Sequence, residues 1–183
     1  LTTDDGEHLV MEYVEGALLS TRMEAGPLPL GTAARLAHKI AEGLAAAHEK
    51  GLVHRDLKPG NVMVTPSSEV KILDFGLALH LETEQDSRLT HSRNLIGTPE
   101  IIAPEALTDE RDELDHRADL FALGVLLYEM ITGVSPFRAE TAVRTLLRIV
   151  NEQPRPMGEL VEGVPPELEG LVEGLLAKEP DGR

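Results

Sequence analysis

From Arg117 to Thr132 the chain is apolar almost all round, with Leu120, Phe121, Leu123, Val125, Leu126, Leu127, Met130 and Ile131 spread over every face of the implied helix. A helix with no polar side to offer water has to sit at the centre of a fold. Its longest apolar run, Phe121 to Tyr128, falls far short of the roughly 20 residues that a membrane span needs. The helix is therefore a core element, closed by Gly133, and the other segments have to wrap it. A chain of 183 residues that is 42% hydrophobic has the material to do so, which excludes disorder over most of its length.

The wrapping segments read as few strands and more helices. Thr32 to Lys50 carries Leu36, Ile40 and Leu44 at i, i+4 and i+8, with Thr32 as the expected cap and Gly51 as the stop. Ala17 to Glu24, Thr141 to Asn151 and Glu167 to Lys178 read as further helices. Glu7 to Val14 reads as a strand ended by Glu15-Gly16, and Asn61 to Thr65 with Val70 to Leu73 as a hairpin-like pair. Leu77 to Pro99 is polar and lacks a sustained period, and a stretch of that length inside a compact domain is usually functional or disordered. No repeat or linker divides the chain. Strands early and helices thereafter make an α+β fold, mainly helical.

Charge narrows the partners. There are 17 basic and 32 acidic residues, a net of −15. Such a surface repels phosphate backbones and anionic lipid, so neither nucleic acid nor a membrane is an expected partner of this segment. The absence of cysteine removes disulfides, thiolate metal sites and cysteine nucleophiles. No basic leader opens the sequence at Leu1, and the expected location is cytoplasmic.

The chemistry concentrates at His54-Arg-Asp-Leu-Lys-Pro-Gly-Asn61, between a helix and a strand, and at Asp74-Phe-Gly76, where the second strand of the pair ends. A hairpin-like pair brings its outer ends together, placing Asn61 beside Asp74. An amide oxygen and a carboxylate form a hard oxygen ligand set that suits Mg²⁺. Asp56 can face the same cleft as a base, and Lys58 can set a cation near a transferred phosphoryl group. A base, a cation and two metal ligands are equipment for phosphoryl transfer.

With these residues in view, the chain resembles the C-terminal lobe of a eukaryotic-like (Hanks-type) serine/threonine protein kinase of the bacterial branch. The two motifs already quoted, Gly97-Thr-Pro-Glu-Ile-Ile-Ala-Pro-Glu105 and Asp119-Leu-Phe-Ala-Leu-Gly124 occur in the family's order and spacing. The resemblance implies that Asp56 orients the substrate hydroxyl and takes its proton, that Lys58 contacts the γ-phosphate, and that Asn61 and Asp74 hold Mg²⁺, with Mn²⁺ as a substitute. It implies Met11 as gatekeeper, Glu12 and Val14 as adenine-binding hinge, Glu15 near the ribose or a basic substrate side chain, and Met63 as the floor under adenine. His54, Phe75 and Gly76 become packing and turn residues; Asp119 anchors the catalytic loop and Glu105 pairs with Arg183. Arg55, expected as a buried cation, awaits a phosphate on Thr90 or Ser92, and Thr98 with Lys58 marks serine/threonine specificity. His38, His48, His80, His91 and His116 are expected as solvated or helix-surface residues.

The implied enzyme is a non-specific serine/threonine protein kinase that uses ATP and acts on protein substrates, with a dimer as the route to trans-autophosphorylation. No Gly-x-Gly-x-x-Gly and no Val-Ala-x-Lys occur in the sequence. Residues 1–14 then read as the end of an N-lobe with its hinge, and 15–183 as a C-lobe truncated at its end. The expectation is a fragment, inactive alone. A nucleotide-binding pseudokinase scaffold and, more remotely, a small-molecule phosphotransferase are the alternatives; Ala103-Pro-Glu105, part of a peptide platform, argues against the second.

Overall fold

A computed structural model describes residues 2–3, 6–7, 12–75, 99–108 and 115–183. In chain order its strands are β1 (Thr2–Thr3), β2 (Gly6–Glu7), β3 (Ala17–Leu18), β4 (Val62–Val64) and β5 (Val70–Ile72). Its helices are α1 (Leu19–Met23), α2 (Leu30–His48), α3 (Glu105–Thr108), α4 (Arg117–Thr132), α5 (Ala142–Asn151) and α6 (Pro166–Leu175). The protein is α+β, with a small antiparallel sheet set against a helical body.

Helix α4 is the axis, as its all-round apolarity requires. Phe121 and Met130 are fully buried, with Leu126 and Ile131 scarcely less so. Ile40 and Leu44 of α2, Val62 and Val64 of β4, and Val172 of α6 complete the cluster around it. Each large side chain buried this way contributes about 1.5–3 kcal/mol relative to exposure. The helix can approach α6 closely because position 124 is glycine: a Cβ there would lie 2.8 Å from Leu175 Cβ. Tyr128, also buried, satisfies its hydroxyl by donating to the Arg155 carbonyl at 2.8 Å.

Helix α2 starts two residues before the expected cap. Pro29 precedes it without a side-chain cap, and Thr32 Oγ1 instead accepts from Arg35 Nη2 at 3.2 Å. Proline's fixed φ suits a helix entry, so a hydroxyl cap is dispensable here. Its end follows expectation: Gly51 has a φ of +73° and donates to the His48 carbonyl at 2.9 Å. Thr141 caps α5, accepting from the Arg144 N–H at 3.2 Å.

Of the strand expected over 7–14, Glu7 lies in β2, residues 8–11 lie outside the described residues, and residues 12–14 carry no strand. Thr2–Thr3 pairs with Gly6–Glu7, and residues 12–15 join no strand among the described residues. The chain joins the sheet later: Ala17 and Leu18 pair with Val64 and Met63, giving the order β3-β4-β5 in place of a two-stranded pair. Gly16 permits it. A Cβ at that position would lie 2.6 Å from the Val64 carbonyl oxygen, so the residue read as a strand terminator serves a close backbone approach.

Candidate active site

The loop from His54 to Asn61 runs from α2 into β4, and its shape is imposed from below. Asp119, in the first turn of α4, is completely buried. Its Oδ2 accepts the His54 N–H and its Oδ1 the Arg55 N–H, both at 2.8 Å. His48 Nε2, at the end of α2, lies 2.8 Å from Oδ2. Three N–H groups thus converge on one buried carboxyl, which is how a polar group is tolerated in such a position. Directing two consecutive amides at one carboxyl demands a sharp turn, and Arg55 adopts a left-handed φ of 67° to make it.

The imidazole of His54 continues the scaffold upward. Its Nδ1 accepts the Asp56 N–H at 3.1 Å, so the ring proton resides on Nε2, which donates to the Leu73 carbonyl at 2.8 Å. The ring is buried and meets Phe75 edge-on, 4.8 Å between centroids. One histidine therefore ties the loop to the far end of β5.

This frame fixes the carboxyl of Asp56. Lys58 Nζ donates to its Oδ2 at 2.7 Å and Asn61 Nδ2 to the same oxygen at 3.0 Å. Asp56 Oδ1 has no hydrogen-bond partner among the described residues. Asn61 Nδ2 also donates to the Asp56 carbonyl at 2.8 Å, so its amide nitrogen is committed and its Oδ1 is left as an acceptor. The Leu73 N–H donates to the Asn61 carbonyl at 2.8 Å, extending the β4–β5 ladder by one rung. Asp74 follows at that same end, exposed, with a φ of 60°. No hydrogen bond joins Asp74 to Asp56 or Asn61 among the described residues. The donor set, an amide oxygen and a carboxyl at one end of a hairpin, has the oxygen-only chemistry that a hard divalent cation takes.

A model of the protein kinase domain matches residues 1–183. The chain belongs to the protein kinase domain family. It is 36% identical over its whole length to a Clostridium perfringens protein named "Probable serine/threonine-protein kinase CPE1738", covering 26% of that protein. It is 34% identical over 96% of its length to serine/threonine-protein kinase PknB of Mycobacterium leprae, covering 28% of it. Against serine/threonine-protein kinase PknL of Mycobacterium tuberculosis it is 35% identical over 98% of its length, covering 44%. The chain thus spans between about a quarter and under a half of these relatives.

Elsewhere in this kinase domain the expected residues are distributed as follows. Glu12 and Glu15 are exposed and Val14 half-buried; Glu12 pairs with Lys71 of β5 at 3.3 Å. Met63 is half-buried in β4, opposite Leu18 and Lys71. Arg183 donates to both carboxyl oxygens of Glu105 at 2.7 Å. Met11, Gly76, Thr90, Ser92 and Thr98 lie outside the described residues, as do His80 and His91. Arg55 corrects its expectation: its side chain is exposed, not buried, and has no partner among the described residues. With φ positive and its N–H turned down to Asp119, the residue projects its guanidinium outward.

His48 is the residue the sequence reading missed. Its expected place is the solvated surface, yet only 14% of its side chain is exposed and it meets Asp119. The signal was present. Leu36, Ile40 and Leu44 set a stripe at intervals of four, and His48 is its next position. A polar residue continuing a buried stripe needs a buried partner.

Proposed function

We propose that the chain supplies the catalytic-loop half of a serine/threonine protein kinase that transfers the γ-phosphoryl group of ATP to protein hydroxyls. The observation that carries the reading is the state of Asp56: one carboxyl oxygen is held by Lys58 and Asn61, and the other has no partner among the described residues. An acceptor fixed on one side and vacant on the other suits a substrate hydroxyl, whose proton it receives as the oxygen attacks phosphorus. Lys58, poised beside Asp56, neutralises charge on the transferred group. The family uses ATP with a divalent metal; we assign Mg²⁺ here, held through Asn61 Oδ1 and Asp74, because both offer hard oxygen. Bound there, the metal neutralises phosphate charge. Glu12, Val14 and Met63 are assigned to adenine, and the exposed Arg55 to a phosphate on Thr90 or Ser92. The serine/threonine names of the relatives support the substrate class.

The test is radiolabelled phosphotransfer to a generic protein substrate by the polypeptide that contains residues 1–183. Asp56→Asn is expected to lower the rate by about 10²–10⁴-fold with nucleotide affinity retained. An Asp56→Asn enzyme as fast as the parent refutes the assignment.

A further inference from the structure

A second cluster of charge sits at the opposite end of the β4–β5 hairpin from Asn61 and Asp74. Arg22, Thr32, Arg35, Leu36, Lys39 and Ser68 line a partly open cavity of about 220 Å³. Thr32, Arg35, Leu36 and Lys39 fall at i, i+3, i+4 and i+7, so one face of α2 provides most of the wall. Arg22 comes from α1 and Ser68 from the turn between β4 and β5, where it holds a left-handed φ of 63°. Three cations around one hollow stand out on a chain whose net charge is −15.

Their hydrogen-bonding capacity is largely unspent. Among the described residues Arg22 uses only Nη2, donating to the Val64 and Thr65 carbonyls at 3.2 and 3.3 Å. Those bonds aim the guanidinium while its Nε and Nη1 have no partner among the described residues. Among the same residues Arg35 spends only Nη2, on Thr32. Lys39 has a single partner among them, Glu69, at 2.5 Å, and that carboxylate is exposed. Two hydroxyls, Thr32 and Ser68, complete the lining. Arginine forks, an ammonium and hydroxyls around a hollow open to solvent on one side offer donors to the tetrahedral, doubly charged oxygens of a phosphate monoester.

We propose that this cavity binds the phosphate of a phosphorylated serine or threonine carried on a protein segment. Nucleic acid and anionic membranes present extended arrays of charge, which the acidic surface as a whole repels, whereas one small hollow takes one phosphate. The inference rests on the proposed kinase activity only for the origin of that phosphate: an enzyme that makes phosphoserine and phosphothreonine would hold its product, or a second copy's phosphorylated segment, away from the catalytic loop.

The experiment needs no turnover, so its result is independent of the phosphotransfer assay. A fluorescein-labelled decapeptide with one phosphothreonine among alanines and glycines is titrated with the full chain, and anisotropy is read. Binding is expected to weaken with added salt. Arg35→Ala and Lys39→Ala, both on the solvent side of α2, are each expected to weaken it about tenfold. Glu69→Gln removes the carboxylate that competes for Lys39 and is expected to tighten binding severalfold, a gain that a folding defect cannot mimic. Four results each overturn the proposal: no binding of the phosphopeptide, equal binding of the unphosphorylated peptide, inorganic phosphate binding as tightly as the peptide, or unchanged affinity in all three variants. Loss in the alanine variants of binding to phosphatidylserine vesicles, with the phosphopeptide unaffected, would assign the cavity to a membrane and overturn it as well.

Discussion

Arg183→Met removes a guanidinium whose entire donor capacity is in use. Besides its two bonds to Glu105, Arg183 donates through Nε to the Ala177 carbonyl at 2.9 Å, through Nη1 to Arg117 at 3.1 Å and through Nη2 to Lys178 at 3.2 Å. Five N–H groups meet five acceptors, and the side chain is fully buried with its fork over the Phe121 ring at 5.0 Å from the centroid. Glu105 is 12% exposed, so without its partner it becomes a carboxylate with little water to replace it. Removing one member of a buried pair costs about 3–5 kcal/mol. At 2–4 °C per kcal/mol for a domain of this size, the melting temperature should fall by roughly 6–20 °C. Glu105→Gln should cost a comparable amount, since it strands the arginine. The double variant Glu105→Gln/Arg183→Met should be less damaging than the sum, with a coupling of about 1–3 kcal/mol. Arg183→Lys, lacking the planar fork, should recover less than half of the loss. Urea unfolding followed by circular dichroism at two salt concentrations measures each term, and the effect should be nearly independent of salt. Strictly additive single effects, or an Arg183→Met variant within 0.5 kcal/mol of the parent, would show that the pair does not join α3 to the end of the chain as argued.

Three other outcomes follow from the same contacts. His48→Phe keeps a ring but removes one of the three donors to Asp119, and should cost about 1–3 kcal/mol, read as faster hydrogen exchange at the His54 and Arg55 amides; unchanged exchange there refutes it. Burial, reinforced by nearby Arg183, lowers Lys178 to a pKa of about 8, with its ammonium 4.0 Å from the Phe137 ring centroid. Between pH 8 and the ordinary lysine value near 10.5 the unfolded chain holds the extra proton, so this residue makes stability rise with pH across that window; Lys178→Met should flatten the rise, and identical pH profiles would contradict the reasoning. Gly124→Ala forces a methyl against Leu175 and should destabilise by about 1–3 kcal/mol, visible in the urea midpoint; a neutral substitution would mean that α4 and α6 separate freely.

What was legible in the sequence was what periodicity and local chemistry carry. Helix α4 begins and ends where its apolar run and Gly133 place it, and Thr141 caps α5. Less legible were features set by contacts between distant segments. The third strand, Ala17–Leu18, is only two residues long and has no alternation to read; it exists because Gly16 lets the backbone press against Val64. The burial of His48 depends on a carboxyl 71 positions away, and only its place on the α2 stripe hinted at it. The exposure of Arg55 follows from a backbone dihedral, which side-chain chemistry alone does not disclose.

The same dihedrals explain why the loop needs such deep anchoring. Arg55 and Asp74 both hold left-handed φ values, 67° and 60°, without being glycine. A residue held in that region costs on the order of 1–3 kcal/mol, and such strain persists only where surrounding structure over-determines it. Here the over-determination can be traced. Asp119 takes the amides on and before Arg55, His54 bonds forward to Asp56 and across to Leu73, and Leu73 bonds back to Asn61 just before Asp74 turns outward. Each strained residue is thus flanked by hydrogen bonds to a buried or paired partner. Glycine at either position would remove the strain but also the preference for one conformation, since glycine loses more freedom on ordering than any other residue. The buried carboxyl and the two histidines therefore belong to the same device as Asp56: they hold a loop in a shape it would not keep by itself, so that one carboxyl oxygen remains open.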